Sequence, residues 1–146
     1  MKKPENIGFD IKGVVKLFDF GLAKELHLED QSKNGNYKLT VATGSLRYMA
    51  PEVANKYPYN LSADVYSFGL ILWETASLKP AFDNYNQAMF KEMVQTLGYR
   101  PDIDASWPDE LQRLIKTSWD ATFKRRPSFV NIILNLDKII SNFDVG

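Results

Sequence analysis

The sequence predicts a mainly helical domain with a small β-hairpin at its N-terminal edge. Three observations predict it. Apolar side chains recur at helical spacing in four segments beyond Pro51. Two short apolar runs near the N-terminus flank a turn-like Asp10-Ile11-Lys12-Gly13. The composition is that of one globular unit, with 146 residues, 45% of them hydrophobic and 25% charged.

The elements follow in order. Ile7-Gly8-Phe9 and Val14-Val15-Lys16-Leu17-Phe18 read as the two arms of the hairpin. Residues 25–47 are polar, with Asn34-Gly35 as turn chemistry. A loop that long inside a compact domain calls for a function. Residues 61–76 carry Val65, Tyr66, Phe68, Leu70, Ile71, Leu72 and Trp73 on nearly every side, the mark of a buried central helix. Asn60 or Ser62 suits its N-cap. Met89, Phe90, Met93, Val94 and Leu97 predict the next helix. Pro108-Asp109-Glu110 opens another, with Leu111, Leu114 and Ile115 on its apolar face. Pro127 opens the last, whose expected stripe is Phe129, Ile132, Ile133, Leu136 and Ile140.

Composition excludes several functions. The 18 basic and 18 acidic side chains balance, which argues against a nucleic-acid partner. With no cysteine there is no disulfide, thiolate metal site or thiol nucleophile. His27, the single histidine, cannot build a multi-histidine metal site and receives no catalytic role. The longest apolar run, residues 65–73, is too short to span a bilayer, so no membrane association is expected. The N-terminus lacks the apolar core of a signal peptide, which predicts an intracellular, cytoplasmic setting. The three tryptophans read as core, with Trp107 the one expected to be partly exposed.

Short motifs stand in a fixed order: Lys3-Pro4-Glu5-Asn6, Asp19-Phe20-Gly21, Ala50-Pro51-Glu52, Asp64-Val65-Tyr66-Ser67-Phe68-Gly69 and Arg125-Arg126-Pro127-Ser128-Phe129. Each alone is weak. Together they resemble the C-terminal lobe of a eukaryotic protein kinase, from the end of the catalytic loop onward. Lys3-Pro4-Glu5-Asn6 is of the Ser/Thr type, and the later motifs look like the tyrosine-kinase-like group of Ser/Thr kinases.

The resemblance implies phosphoryl transfer from ATP with Mg2+. Magnesium is a hard cation that takes oxygen ligands, and Asn6 and Asp19 offer an amide oxygen and a carboxylate. They match the family's metal-binding pair, and the hairpin between them would bring them together. Lys3 matches the catalytic-loop lysine near the transferred phosphate. Phe20 would pack inward and orient Asp19, and Gly21 would allow the bend that follows. Residues 19–52 then read as the activation segment of a partial kinase domain covering 1–146. Ser45 matches the hydroxyl residue that contacts the catalytic loop. Ser32, Tyr37, Thr40 and Thr43 are candidate phosphorylation sites, Thr40 first. Glu52 and Arg126 resemble the family's buried ion pair, and Asp64 the carboxylate that braces the catalytic loop.

The departures matter equally. Aligning Lys3 puts Met1 where the catalytic aspartate should stand. The 146 residues hold no glycine-rich loop, strand lysine or helix glutamate of an N-terminal lobe. The expectation is that this chain alone does not phosphorylate protein, and that it binds ATP and Mg2+ weakly or not at all. Its partner would be a protein substrate or a regulatory protein. The alternative is a truncated, pseudokinase-like binding module that docks partners around residues 89–97.

Overall fold

The computed structural model describes residues 3–38 and 46–143. Its one sheet has two antiparallel strands, β1 (Ile7–Phe9) and β2 (Val15–Leu17), paired Ile7 to Leu17 and Phe9 to Val15. The second arm is one residue shorter at each end than expected. The turn closes because the Asp10 carboxylate accepts the Lys12 and Val14 amides at 2.8 and 3.0 Å, while Gly13 takes φ +76°.

Beyond the loop come α1 (Pro51–Ala54), α2 (Ser62–Ser77), α3 (Gln87–Met89), α4 (Asp109–Ser118) and α5 (Phe129–Phe143). Helix α2 is the axis. Tyr66, Leu70 and Trp73 pack on Phe90, Val94, Ile115 and Trp119, while Val65 packs on Leu114, Ile132 and Ile139. A helix with apolar residues all round can serve two such cores at once. Asn60 Oδ1 accepts the Ser62 amide at 2.9 Å at its start. Leu78, at φ +54°, ends it by donating its N–H to Glu74 O. The indole of Trp73 donates to Asp102 O at 2.9 Å, and Trp107 is half-buried. Helix α4 crosses closely at Gly69, where a Cβ would stand 2.8 Å from Ser118 Cβ.

Two expectations about the helices are corrected. The 89–97 segment is helical, but residues Phe90–Thr96 are π-helical, with Leu97 N–H donating to Glu92 O at 2.9 Å. Phe90 and Val94 point into the core and Met93 is half-buried, while Met89 and Leu97 are exposed. In α5 the buried stripe is Phe129, Ile132, Leu136 and Ile139, and Ile133 and Ile140 are exposed. Steps of three, four and three residues track a 3.6-residue period with one facing core, so only one arm of each expected pair is buried. Ser128 caps this helix, its hydroxyl accepting the Asn131 amide at 3.2 Å.

The polar loop is partly built. The Tyr37 and Tyr59 backbones exchange hydrogen bonds of 2.8 and 3.2 Å, and Tyr37 is buried. Tyr37, one of the candidate phosphorylation sites, is thus a covered residue in this structure. Thr40, Thr43 and Ser45 lie outside the described residues.

Candidate functional site

Lys3 precedes a single 3₁₀ turn, Pro4–Asn6, and its carbonyl accepts the Asn6 amide at 3.0 Å. Proline at the first position pre-sets that turn. The hairpin then returns the chain, and Phe18 N–H donates to Asn6 O at 2.8 Å. Asn6 therefore sits across from the residue preceding Asp19. Gly8 permits this closure, since a Cβ there would meet the Phe18 ring at 2.8 Å. Asp19 adopts φ +58°, a left-handed conformation that aspartate tolerates, and its carboxylate accepts the Gly21 amide at 3.3 Å.

Asp19 is exposed and in no ion pair among the described residues. Its carboxylate is thus available to a cation. An amide and a carboxylate oxygen suit magnesium, which completes its shell with water and phosphate oxygens. No group of three or more His, Asp or Glu that could hold a metal ion occurs among the described residues. The donor set fits Mg2+ bound together with a polyphosphate.

Phe20 departs from expectation. It does not pack inward but is 66% exposed, in company with Phe9, Val15, Phe18 and Leu22. The two cores are built on α2, and no described element covers this side of the hairpin. The orientation of Asp19 is set by its own turn with Gly21, not by the Phe20 ring.

Glu52 and Arg126 meet across 74 positions of sequence in a two-pronged ion pair. Nη1 lies 2.6 Å from Oε1 and Nη2 lies 2.9 Å from Oε2. Their side chains are 9% and 0% exposed. Arg126 also donates to Asp120 O at 2.8 Å and Ser62 O at 3.0 Å, and lies 5.1 Å from the Tyr66 ring centroid. Each of the three guanidinium nitrogens thus has a hydrogen-bond acceptor, as burial demands. Asp64 sits half-buried in the first turn of α2, where the helix dipole favours it. Burial first, and the Asp64 charge second, push the Tyr59 hydroxyl above its ordinary pKa.

Three further residues escaped the sequence reading. Tyr48 donates to both oxygens of Glu74 at 3.0 Å, and Glu74 also accepts the Ala81 amide at 2.6 Å. Burial and the Glu74 carboxylate push the Tyr48 hydroxyl well above the usual tyrosine range. Arg100 donates to the carbonyls of Val94, Tyr99 and Trp119, and lies 5.0 Å from the Tyr66 ring centroid. The available signals were a carboxylate within an apolar helix and an arginine directly before Pro101.

A helical body carrying one two-stranded hairpin fits the fold of the C-terminal lobe of a protein kinase domain. The model of the protein tyrosine and serine/threonine kinase family matches residues 4–136. The chain belongs to that family. It is 41% identical over 143 residues to the dual specificity protein kinase shkC of Dictyostelium discoideum, an alignment covering 94% of this chain and 27% of that protein. It is 40% identical over 127 residues to the serine/threonine-protein kinase VIK of Arabidopsis thaliana, covering 86% of this chain and 28% of that one. With the Arabidopsis serine/threonine-protein kinase STY46 it shares 34% identity over 137 residues, 94% and 23% of the two chains. The chain spans about a quarter of the length of such relatives. Proteins of this family generally use ATP and Mg2+ and act on proteins. No helix among the described residues is long and apolar enough to cross a membrane.

Proposed function

We propose that the chain carries the metal-binding and substrate-side scaffold of a protein serine/threonine kinase. Asn6 and Asp19 would hold Mg2+, and Lys3 would place its charge by the transferred phosphate. Bound there, magnesium supplies charge neutralisation for the ATP phosphates. The observation that supports the reading is the 2.8 Å hydrogen bond from Phe18 N–H to Asn6 O, which holds the Asn6 backbone beside the residue preceding Asp19. Residues 19–52 would form the activation segment, and the Glu52–Arg126 pair would anchor its far end to the segment entering α5. The Ser/Thr assignment rests on Lys3 before Pro4, together with relatives named as serine/threonine and dual specificity kinases.

By themselves, these 146 residues do not transfer phosphate at a useful rate in this reading. Met1 stands where the base that orients the acceptor hydroxyl is needed, and kinase catalysis is chiefly positioning and charge stabilisation. The alternative of a purely regulatory module is weaker, because such a module has no need of a complete metal pair. The test is a phosphate-transfer assay of this chain with ATP, Mg2+ and a generic basic protein substrate. The reading expects no turnover above that of the Asp19→Ala and Asn6→Ala variants. Turnover that those substitutions abolish would overturn the claim of inactivity while supporting the metal assignment.

A further inference from the structure

Asn34 is the one asparagine of the chain that glycine follows directly. The pair sits in a closed turn. Gly35 N–H donates to Ser32 O at 2.9 Å, and Gly35 takes φ +77°, which glycine adopts without strain. Bonds on either side clamp the turn. Ser32 N–H and the Ser32 hydroxyl both donate to Asn36 O at 2.8 Å, and that hydroxyl accepts the Asn36 amide at 3.3 Å. Gln31 Nε2 donates to Gly35 O at 3.1 Å. Tyr37 then pairs by its backbone with Tyr59, and Asn60 Nδ2 donates to Asn36 Oδ1 at 3.0 Å.

The Asn34 side chain stands outside this clamp. The residue is exposed, and its carboxamide takes part in none of these bonds. An asparagine carboxamide and the next backbone nitrogen can close a five-membered imide ring. A side chain on the following residue hinders that approach, and glycine has none. The proton that must leave the Gly35 nitrogen is the one that Ser32 O holds in the turn. The same hydrogen bond that closes the turn therefore protects it.

We propose that Asn34-Gly35 is a self-modification site, converted through a cyclic imide to aspartate or isoaspartate at a rate set by opening of the turn. The Gly35 nitrogen gives its proton to hydroxide and bonds to Asn34 Cγ. The Cγ–Nδ2 bond breaks, and the amino group leaves as ammonia with a proton from water. Water then adds across one of the two imide C–N bonds. No enzyme and no change of oxidation state is involved. Both products add one carboxylate to a chain whose formal net charge is zero. Isoaspartate also adds one atom to the main chain between 34 and 35, so the bond from Gly35 N–H to Ser32 O no longer closes. The proposal depends on neither the metal assignment nor the family.

The test incubates the full chain at mildly alkaline pH, in buffer and in concentrated urea, and reads conversion of each asparagine by peptide mass spectrometry. In urea Asn34 should convert ahead of every other asparagine, and at least about tenfold faster than in buffer, the worth of roughly one to two net hydrogen bonds. In buffer Ser32→Ala, which removes two bonds of the clamp, should speed conversion by at least about fivefold. Its Leu70 amide should keep the parent rate of hydrogen exchange. Ser32→Thr, which retains the hydroxyl, should convert at the parent rate. No preference for Asn34 in urea would overturn the site. Equal rates in buffer and urea, or an unchanged rate in Ser32→Ala, would overturn the control by the turn. Faster Leu70 exchange in Ser32→Ala would show general unfolding and equally reject a local gate.

Discussion

Replacing Glu52 by Gln isolates the charge in the buried ion pair, because the two side chains have nearly the same shape. The guanidinium of Arg126 would keep its bonds to Asp120 O and Ser62 O and its place on the Tyr66 ring. It would lose the only carboxylate that neutralises it among the described residues, and one of the two prongs would face an NH2 group at a donor-to-donor distance. Breaking one side of a buried pair costs about 3–5 kcal/mol. The remaining carbonyls and aromatic face place this case at the lower end, about 3 kcal/mol. For a chain of this size that corresponds to a fall in Tm of about 10 °C. Thermal unfolding followed by far-ultraviolet circular dichroism reads it directly. The double change Glu52→Leu with Arg126→Met removes both charges and should recover at least about 1 kcal/mol relative to Glu52→Gln, since apolar replacement of a whole pair is tolerated. A fall of less than about 3 °C in Glu52→Gln would refute the reasoning, for the pair would then behave as a solvated one.

Two other outcomes follow from the packing and from the perturbed tyrosine. Gly69→Ala should destabilise by about 1–3 kcal/mol despite the better helix propensity of alanine, because the new Cβ would meet Ser118 Cβ at 2.8 Å and backbone atoms at 3.3 Å; a urea midpoint that rises instead would show that α4 yields freely. Tyr48, whose hydroxyl pKa is raised by burial and by Glu74, contributes stability that is complete below the ordinary tyrosine pKa of about 10 and is lost as pH rises above it, because the unfolded chain ionises first. The parent should therefore lose more Tm than Tyr48→Phe as pH rises from about half a unit below that pKa to about one and a half units above it, and parallel slopes in the two proteins would contradict the assignment.

The helices were legible in the sequence because their apolar periodicity is strong, and the hairpin because Asp10 and Gly13 carry turn chemistry. The motif order singled out Asn6, Asp19, Glu52 and Arg126; the fold joins Glu52 to Arg126 and puts the Asn6 backbone beside the residue preceding Asp19. Other features depended on tertiary geometry. A π-helical segment at Phe90–Thr96 differs from an α-helix only in hydrogen-bond register, which side-chain type does not report. The choice of Ile139 over Ile140 for the core was decided by where α4 and α2 lie. Phe20 sits in a motif that suggests an inward ring, yet burial requires a covering element and none is described there. Tyr37 lay in a stretch polar enough to read as solvated, yet it is buried, with its backbone paired to Tyr59. Glu74 and Arg100 serve partners far apart in sequence, Tyr48 and Trp119 among them, and no local pattern announces such contacts.

The central claim is that Asn6 and Asp19 form the metal side of a phosphotransfer site. Paramagnetic broadening of backbone amide signals by Mn2+, a magnetic stand-in for Mg2+, tests it most directly when ATP is present in excess. The account predicts broadening centred on residues 6–8 and 18–21 and its loss in Asp19→Ala. Broadening centred on other carboxylates such as Glu29 and Asp30, broadening that survives Asp19→Ala, or none at all at millimolar metal would contradict it.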